Sequence, residues 1–192
     1  MRFLILIFLI TTSLFAININ NSLLRIHATL VPKLYLMDYE YKSKVKNDTI
    51  VIDILYDKAN YKSALALKNK FYTKYKNGLE SYKLKVELVL YSNIDRSDAN
   101  IYYLFPSKST NIKKAVKQAS NNNALTFSYL KDDLKYGVMV SLAIGIKVKP
   151  VLNLDAIKRY HISFRPILLN ISTIYTTKQS SYFITKMKVR FT

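Results

Sequence analysis

The residues that could do chemistry are few and scattered. His27 and His161 lie far apart, with no spacing that would bring two imidazoles onto one metal. Asp95 with Asp98, and Asp132 with Asp133, could serve as paired carboxylates for acid–base work. Each pair sits in a polar connecting stretch, where caps and solvated turns are the commoner use. His27 falls within an apolar helical pattern and reads as a satisfied or surface residue. The chain has no Cys, which excludes thiol nucleophiles, disulfides and thiolate-bound metals. No Gly-rich phosphate loop is present. The chain is therefore expected to bind rather than catalyse, and no metal or cofactor is implied.

Candidate binding residues follow from where the elements end. Thr49–Tyr56 is nearly continuous in β-branched and apolar side chains, the pattern of a strand buried on both faces. Asp53 within it is unusual, because an unpaired buried carboxylate is costly. A Lys partner, or a less buried strand end, would explain it. Residues 60–76 carry helical spacing through Ala64, Leu67 and Phe71 and stop near Gly78. Strands are expected at 84–90, 99–105 and 124–127, with a helix over 109–120 capped by Ser109 or a neighbour. Such alternation predicts a largely parallel sheet, whose carboxyl-end edge is where open α/β sheets bind ligands. That edge holds Asp57, Tyr91, Ser92, Pro106, Ser107 and Tyr129. Lys108, Ser109 and Thr110 stand at a helix start, which suggests a small-anion pocket with Asp57 and Ser107. Plain turn and capping chemistry is the competing use of the same residues.

The two ends of the chain read differently. Met1-Arg2, the apolar run Phe3–Ile10 and the small residues up to Ala16 form a secretory signal-peptide pattern. A retained anchor or a buried helix is the alternative. Leu23, Ile26, Leu30, Leu34 and Met37 form one helical stripe, which Pro32 should kink or divide in two. Segments 137–144 and 147–152 flank Gly145-Ile146, suggesting a tight hairpin. Asn153 is then placed to cap a helix over 154–160, and a further helix is expected over 165–175. From Lys178 onward Lys186, Lys188 and Arg190 alternate with Met187, Val189 and Phe191, either an added edge strand or a loose basic tail.

Charge narrows the partners less than it first suggests. Thirty basic against 12 acidic residues give a formal net charge of +18. That favours nucleic acid, lipid headgroups or acidic proteins. Lysine outnumbers arginine 24 to 6, alongside abundant Asn, Ile and Tyr, which A+T-rich coding produces by drift. Export and the lack of any nucleic-acid-binding motif argue against nucleic acid. A weak contact with anionic membrane through the Lys faces stays open.

Two stretches resemble a known family. Gly137-Val138-Met139-Val140-Ser141-Leu142, Val148-Lys149-Pro150-Val151-Leu152-Asn153-Leu154-Asp155-Ala156 and Ile162-Ser163-Phe164-Arg165-Pro166-Ile167-Leu168-Leu169 resemble the end of the YfiR/HmsC-like domain. There a hairpin leads into an I/L-N-L-x-A helix start and then an LL helix. Ala28–Leu34 is similar to the family's opening segment. The resemblance is close over 137–169 and one of element order over 22–175. It implies an exported α/β domain in the periplasm of a Gram-negative bacterium. Family members restrain an inner-membrane diguanylate cyclase by binding its periplasmic part, tuning cyclic di-GMP and biofilm formation; others accompany sensor kinases. Lacking Cys, this chain cannot use a thiol switch.

The expectation is thus a signal peptide over 1–16 and a three-layer α/β/α domain over 17–177. The domain would hold a mostly parallel sheet and a C-terminal β-hairpin, with 178–192 as a basic tail. Asn153, Phe164, Leu168 and Leu169 are candidate partner contacts, against the plainer uses of Asn153 as a cap and the others as core. A small-anion module built on Asp57, Ser107, Lys108, Ser109 and Thr110 is the alternative.

Overall fold

A computed structural model of the chain describes residues 19–176, so the leader pattern and the basic tail lie outside the described residues. The apolar run expected as a strand forms β1 (Thr49–Tyr56), the spine of the sheet. Around it stand β2 (Lys83–Leu90), β3 (Ile101–Leu104), β4 (Leu125–Ser128), β5 (Val140–Ala143), β6 (Lys149–Asn153) and β7 (Thr173–Tyr175). The seven strands run in the order β2-β1-β3-β4-β5-β6-β7. β1 to β5 are mutually parallel, β6 is antiparallel to β5, and β7 is parallel to β6. The parallel part has the doubly wound order, and its direction of growth reverses between β1 and β3.

Alternation along β1 divides the core. Ile50, Ile52 and Ile54 face α1 (Asn21–Tyr35) and α3 (Tyr61–Lys74), whose Val31, Leu67 and Phe71 are fully buried with them. Leu55 faces the other way, with Tyr102 and Leu104, toward Ile112, Ala115 and Ala119 of α4 (Ser109–Asn121). Helices therefore cover both faces, which confirms the α/β/α expectation. The short α2 (Tyr41–Lys44), α5 (Leu154–Arg159) and α6 (Pro166–Ile171) complete the described elements, with 3-10 turns at Lys58–Asn60, Tyr91–Arg96 and Lys131–Tyr136. Past α3 the chain turns at Gly78, whose φ of +88° and 2.3 Å clearance from the Tyr82 carbonyl oxygen to an added Cβ demand glycine.

Four expectations need correction. Pro32 does not divide α1, which runs unbroken to Tyr35; so near the end, a proline removes one hydrogen bond and leaves less than a turn beyond it. The helix α4 begins at Ser109 itself, with Lys108 in the capping position and no side-chain cap. The β5–β6 connection is longer than a two-residue turn, because Ala143 pairs with Lys149. Gly145 is not among the residues with positive φ that a tight hairpin needs. Finally, the helix expected over 165–175 ends at Ile171. Ser172 turns extended, its hydroxyl donating to the Leu168 carbonyl at 2.6 Å, and Thr173-Ile174-Tyr175 pair with β6. Three β-branched or aromatic residues favour the strand.

Candidate functional site

The sheet reversal places the loop after β1 beside the loop after β3. Asp57 follows β1, and Ser107 precedes α4. The Ser107 hydroxyl donates to Asp57 Oδ2 at 2.5 Å. Asn111, one turn into α4, reaches back with its amide to Ser107 Oγ at 2.9 Å and to Asp57 Oδ1 at 3.5 Å. Asn60 closes the loop by donating to the Pro106 carbonyl at 3.0 Å. The structure thus unites Asp57 with Ser107, but leaves Lys108 and Thr110 exposed at the helix start. Ser109 is half-buried. Asn60 and Asn111 were not singled out from the sequence; the four-residue spacing of Ser107 and Asn111 was the available signal.

This geometry changes the chemistry of the edge. Two side-chain donors of this edge, the Ser107 hydroxyl and the Asn111 amide, are already directed at the Asp57 carboxylate. That carboxylate also stands by the start of α4, the positive end of the helix. The cluster behaves as a self-contained cap that ties β1 to β3.

Asn153 is buried, and both ends of its side chain are engaged. Its Oδ1 accepts the Ala156 N–H at 3.1 Å, and its Nδ2 donates to the Leu134 carbonyl at 2.8 Å. It thereby caps α5 and pins the Lys131–Tyr136 turn. Phe164 and Leu168 are buried at 6% and 1% exposure, so the exposed docking face suggested for them is corrected: they pack into the core. Leu169 remains partly exposed. The apolar side chains that α6 turns outward are Leu169 with Ile167 and Ile171, the last two four apart on one helix face, and Ile174 follows on β7.

The acidic pairs and the histidines also find places. Asp95 pairs with Lys114 and Asp98 with Lys46, both at 2.6 Å on the surface. Asp133, expected in a solvated turn, is instead buried and accepts the Ser128 hydroxyl at 2.5 Å. Burial raises its carboxyl above the usual range. Asp53 is buried too, and its partner is the hydroxyl of Ser97 rather than a Lys. His27 is enclosed among Tyr103, Phe127 and Tyr129, while His161 is exposed. Among the described residues no cluster of His and carboxylates could hold a metal, and no helix is long and apolar enough to cross a membrane.

No curated protein matches the chain. Among solved structures, it is similar to a conserved domain protein from Vibrio cholerae, with a TM-score of 0.57 and 13% identity over 80% of this chain and 60% of that one. It is also similar to an ABC domain in complex with L-Trp from Streptococcus pneumoniae, with a TM-score of 0.56 and 10% identity over 77% of this chain and 62% of that one. The chain thus spans about three fifths of the length of these structures, and the likeness speaks for the fold. The model of the YfiR/HmsC-like family matches residues 43–173, from α2 to the first residue of β7, so the chain belongs to this family of periplasmic, regulator-type domains.

Proposed function

We propose that this protein regulates a membrane-bound signalling enzyme, a diguanylate cyclase or a sensor kinase, by binding the enzyme's periplasmic part. Membership of the YfiR/HmsC-like family supports a regulator that works through a protein partner. The observation that carries the reading is the exposed apolar side chains of α6 and β7: Ile167, Leu169, Ile171 and Ile174 are 59%, 38%, 55% and 38% exposed. Exposed apolar side chains grouped in one place mark contact surfaces. In this mechanism free and bound states interconvert, and a signal acts by changing their relative stability. The alternative, capture of a small anion at the strand-end edge, has the Asp57 carboxylate against it.

The test is in-cell crosslinking of the tagged full-length protein in its own host, with captured proteins identified by mass spectrometry. Recovery of an inner-membrane cyclase or kinase through its periplasmic region, lost in Ile171→Asp, is the expected result. Recovery of no membrane sensor overturns the reading. Salt-sensitive binding of a defined small anion, lost in Lys108→Glu, would then favour the alternative.

A further inference from the structure

The second face of the sheet is covered unevenly. α4 packs over β3 and β4, whereas β1 and β2 are met there by the short Tyr91–Arg96 turn. Between that turn and the two strands lies a cavity of about 500 Å³. This is within the range of small-molecule sites. Its floor is Asp53 of β1, and its walls carry Glu87, Lys85, Arg96 and Asp98.

Asp53 and Glu87 are register partners on adjacent parallel strands, so the two carboxylates stand side by side on one face. Asp53 is only 2% exposed, and its Oδ2 accepts the Ser97 hydroxyl. Its Oδ1 is buried with no hydrogen-bond partner among the described residues. A buried acceptor left unmatched is costly, and a carboxylate oxygen more so than most. Burial raises the Asp53 carboxyl above its usual range, and Glu87 beside it adds to that rise. Of the three carboxylates in the lining, Asp98 is already bonded to Lys46 at 2.6 Å, so Asp53 and Glu87 are the two that a ligand would meet.

We propose that this cavity binds a small organic cation bearing a primary ammonium, which takes its place between Asp53 and Glu87. An ammonium offers three donors and a compact positive charge. It would supply Asp53 Oδ1 with the donor that the fold withholds. Glu87 is available because its present partner, Lys85 Nζ at 2.6 Å, belongs to a pair that is half exposed. Surface pairs of this kind are weakly held, so exchanging one ammonium for another is easy. A metal ion fits less well: among the described residues no group of three potential ligands converges. The proposal concerns a different face from the α6–β7 surface and stands independently of the partner assignment.

The test is calorimetric titration of the full-length protein with putrescine, beside the uncharged 1,4-butanediol of the same length. Saturable binding of the diamine and none of the diol is expected. Asp53→Asn, which keeps the side-chain size, should weaken binding by roughly tenfold or more. The substitution removes a desolvated acid, so the variant should fold at least as well as the parent. Should it nevertheless fail to fold, carboxyl-carbon NMR of the unsubstituted protein decides, because putrescine must move the Asp53 resonance. No saturable binding up to about 10 mM, binding unchanged in Asp53→Asn, or an unmoved Asp53 resonance overturns the proposal.

Discussion

His27 on α1 and Tyr103 on β3 share a hydrogen bond of 2.7 Å between imidazole Nδ1 and the phenolic oxygen, 76 residues apart in sequence. Both groups are buried, and the imidazole is ringed edge-on by Tyr103 and Phe127 at 5.7 and 5.4 Å. Burial pushes the histidine down to about 4 and the Tyr103 phenol well above its ordinary value. The phenol therefore keeps its proton and the imidazole stays uncharged, so the two groups share a hydrogen bond between neutral partners. A titratable side chain thus acts as a polar rivet between helix and sheet.

The rivet makes stability depend on pH with a definite sign. Below the ordinary value of 6.5 the unfolded chain binds a proton at His27 that the folded chain refuses until about 4. Stability from this group is complete above 6.5 and lost as pH falls through that window, amounting to about 3 kcal/mol at its acid end. Asp53 and Asp133, both raised by burial, act in the opposite direction and gain stability as they protonate. Urea midpoints measured between these limits should decline with acid in the parent and stay flatter in His27→Gln. Parallel profiles for the two proteins would show that His27 is not the group responsible.

A second buried pair holds the end of α1. Lys44 Nζ lies 2.5 Å from Asp38 Oδ2, with side chains 13% and 3% exposed. The same short segment pairs with the lead-in to α6: Tyr39 N–H donates to the Ser163 carbonyl and Arg165 N–H to the Met37 carbonyl, both at 2.8 Å. Lys44→Met would leave the Asp38 carboxylate buried and uncompensated, a loss of about 3–5 kcal/mol. Adding Asp38→Asn should restore much of that, since no charge then remains to be paired. A double-mutant cycle by chemical denaturation reads this directly, and additive losses would argue against the coupling.

Neighbouring residues of the C-terminal segment should separate by burial. Phe164→Ala and Leu168→Ala empty core positions, with an expected loss of about 2–5 kcal/mol each. Ile167→Ala and Ile171→Ala expose nothing new and should stay within about 0.5 kcal/mol of the parent. Denaturation midpoints for the four variants make the comparison. A large loss in Ile171→Ala would mean that its outer face is already packed in the intact chain.

What could be read from the sequence was local. The apolar run of β1, the stripe of α3 and the cap at Asn153 each depend on residues within a few positions of one another, so pattern alone locates them. The strand-end cluster was half legible: parallel alternation indicated the edge with Asp57 and Ser107, but not that Ser107 and Asn111 would turn their donors onto Asp57. The partner of Asp53 was not legible, because Ser97 lies 44 residues away and meets it only through packing of the loop before β3. Phe164 and Leu168 show the same limit. Six apolar or aromatic residues between 162 and 171 cannot be assigned to core or surface until the direction of α6 is known.

Asn153 offers the sharpest separation of two roles in one side chain. Its Oδ1 caps α5, and its Nδ2 holds the Leu134 carbonyl. Asn153→Ala removes both, costing about 0.5–2 kcal/mol for the cap and about 1–3 kcal/mol for the stranded carbonyl. Asn153→Asp keeps the acceptor for Ala156 and sets a buried carboxylate against the Leu134 oxygen. That carboxyl should titrate above the usual range, and once protonated it can donate where the amide did. Relative to the parent at each pH, Asn153→Asp should therefore be strongly destabilised at neutral pH and regain stability as pH falls through its raised pKa. Asn153→Ala should show the same deficit throughout. Thermal midpoints at neutral and mildly acidic pH distinguish the two. If Asn153→Asp matched the parent at neutral pH, the Leu134 contact would carry no weight and capping alone would account for the residue.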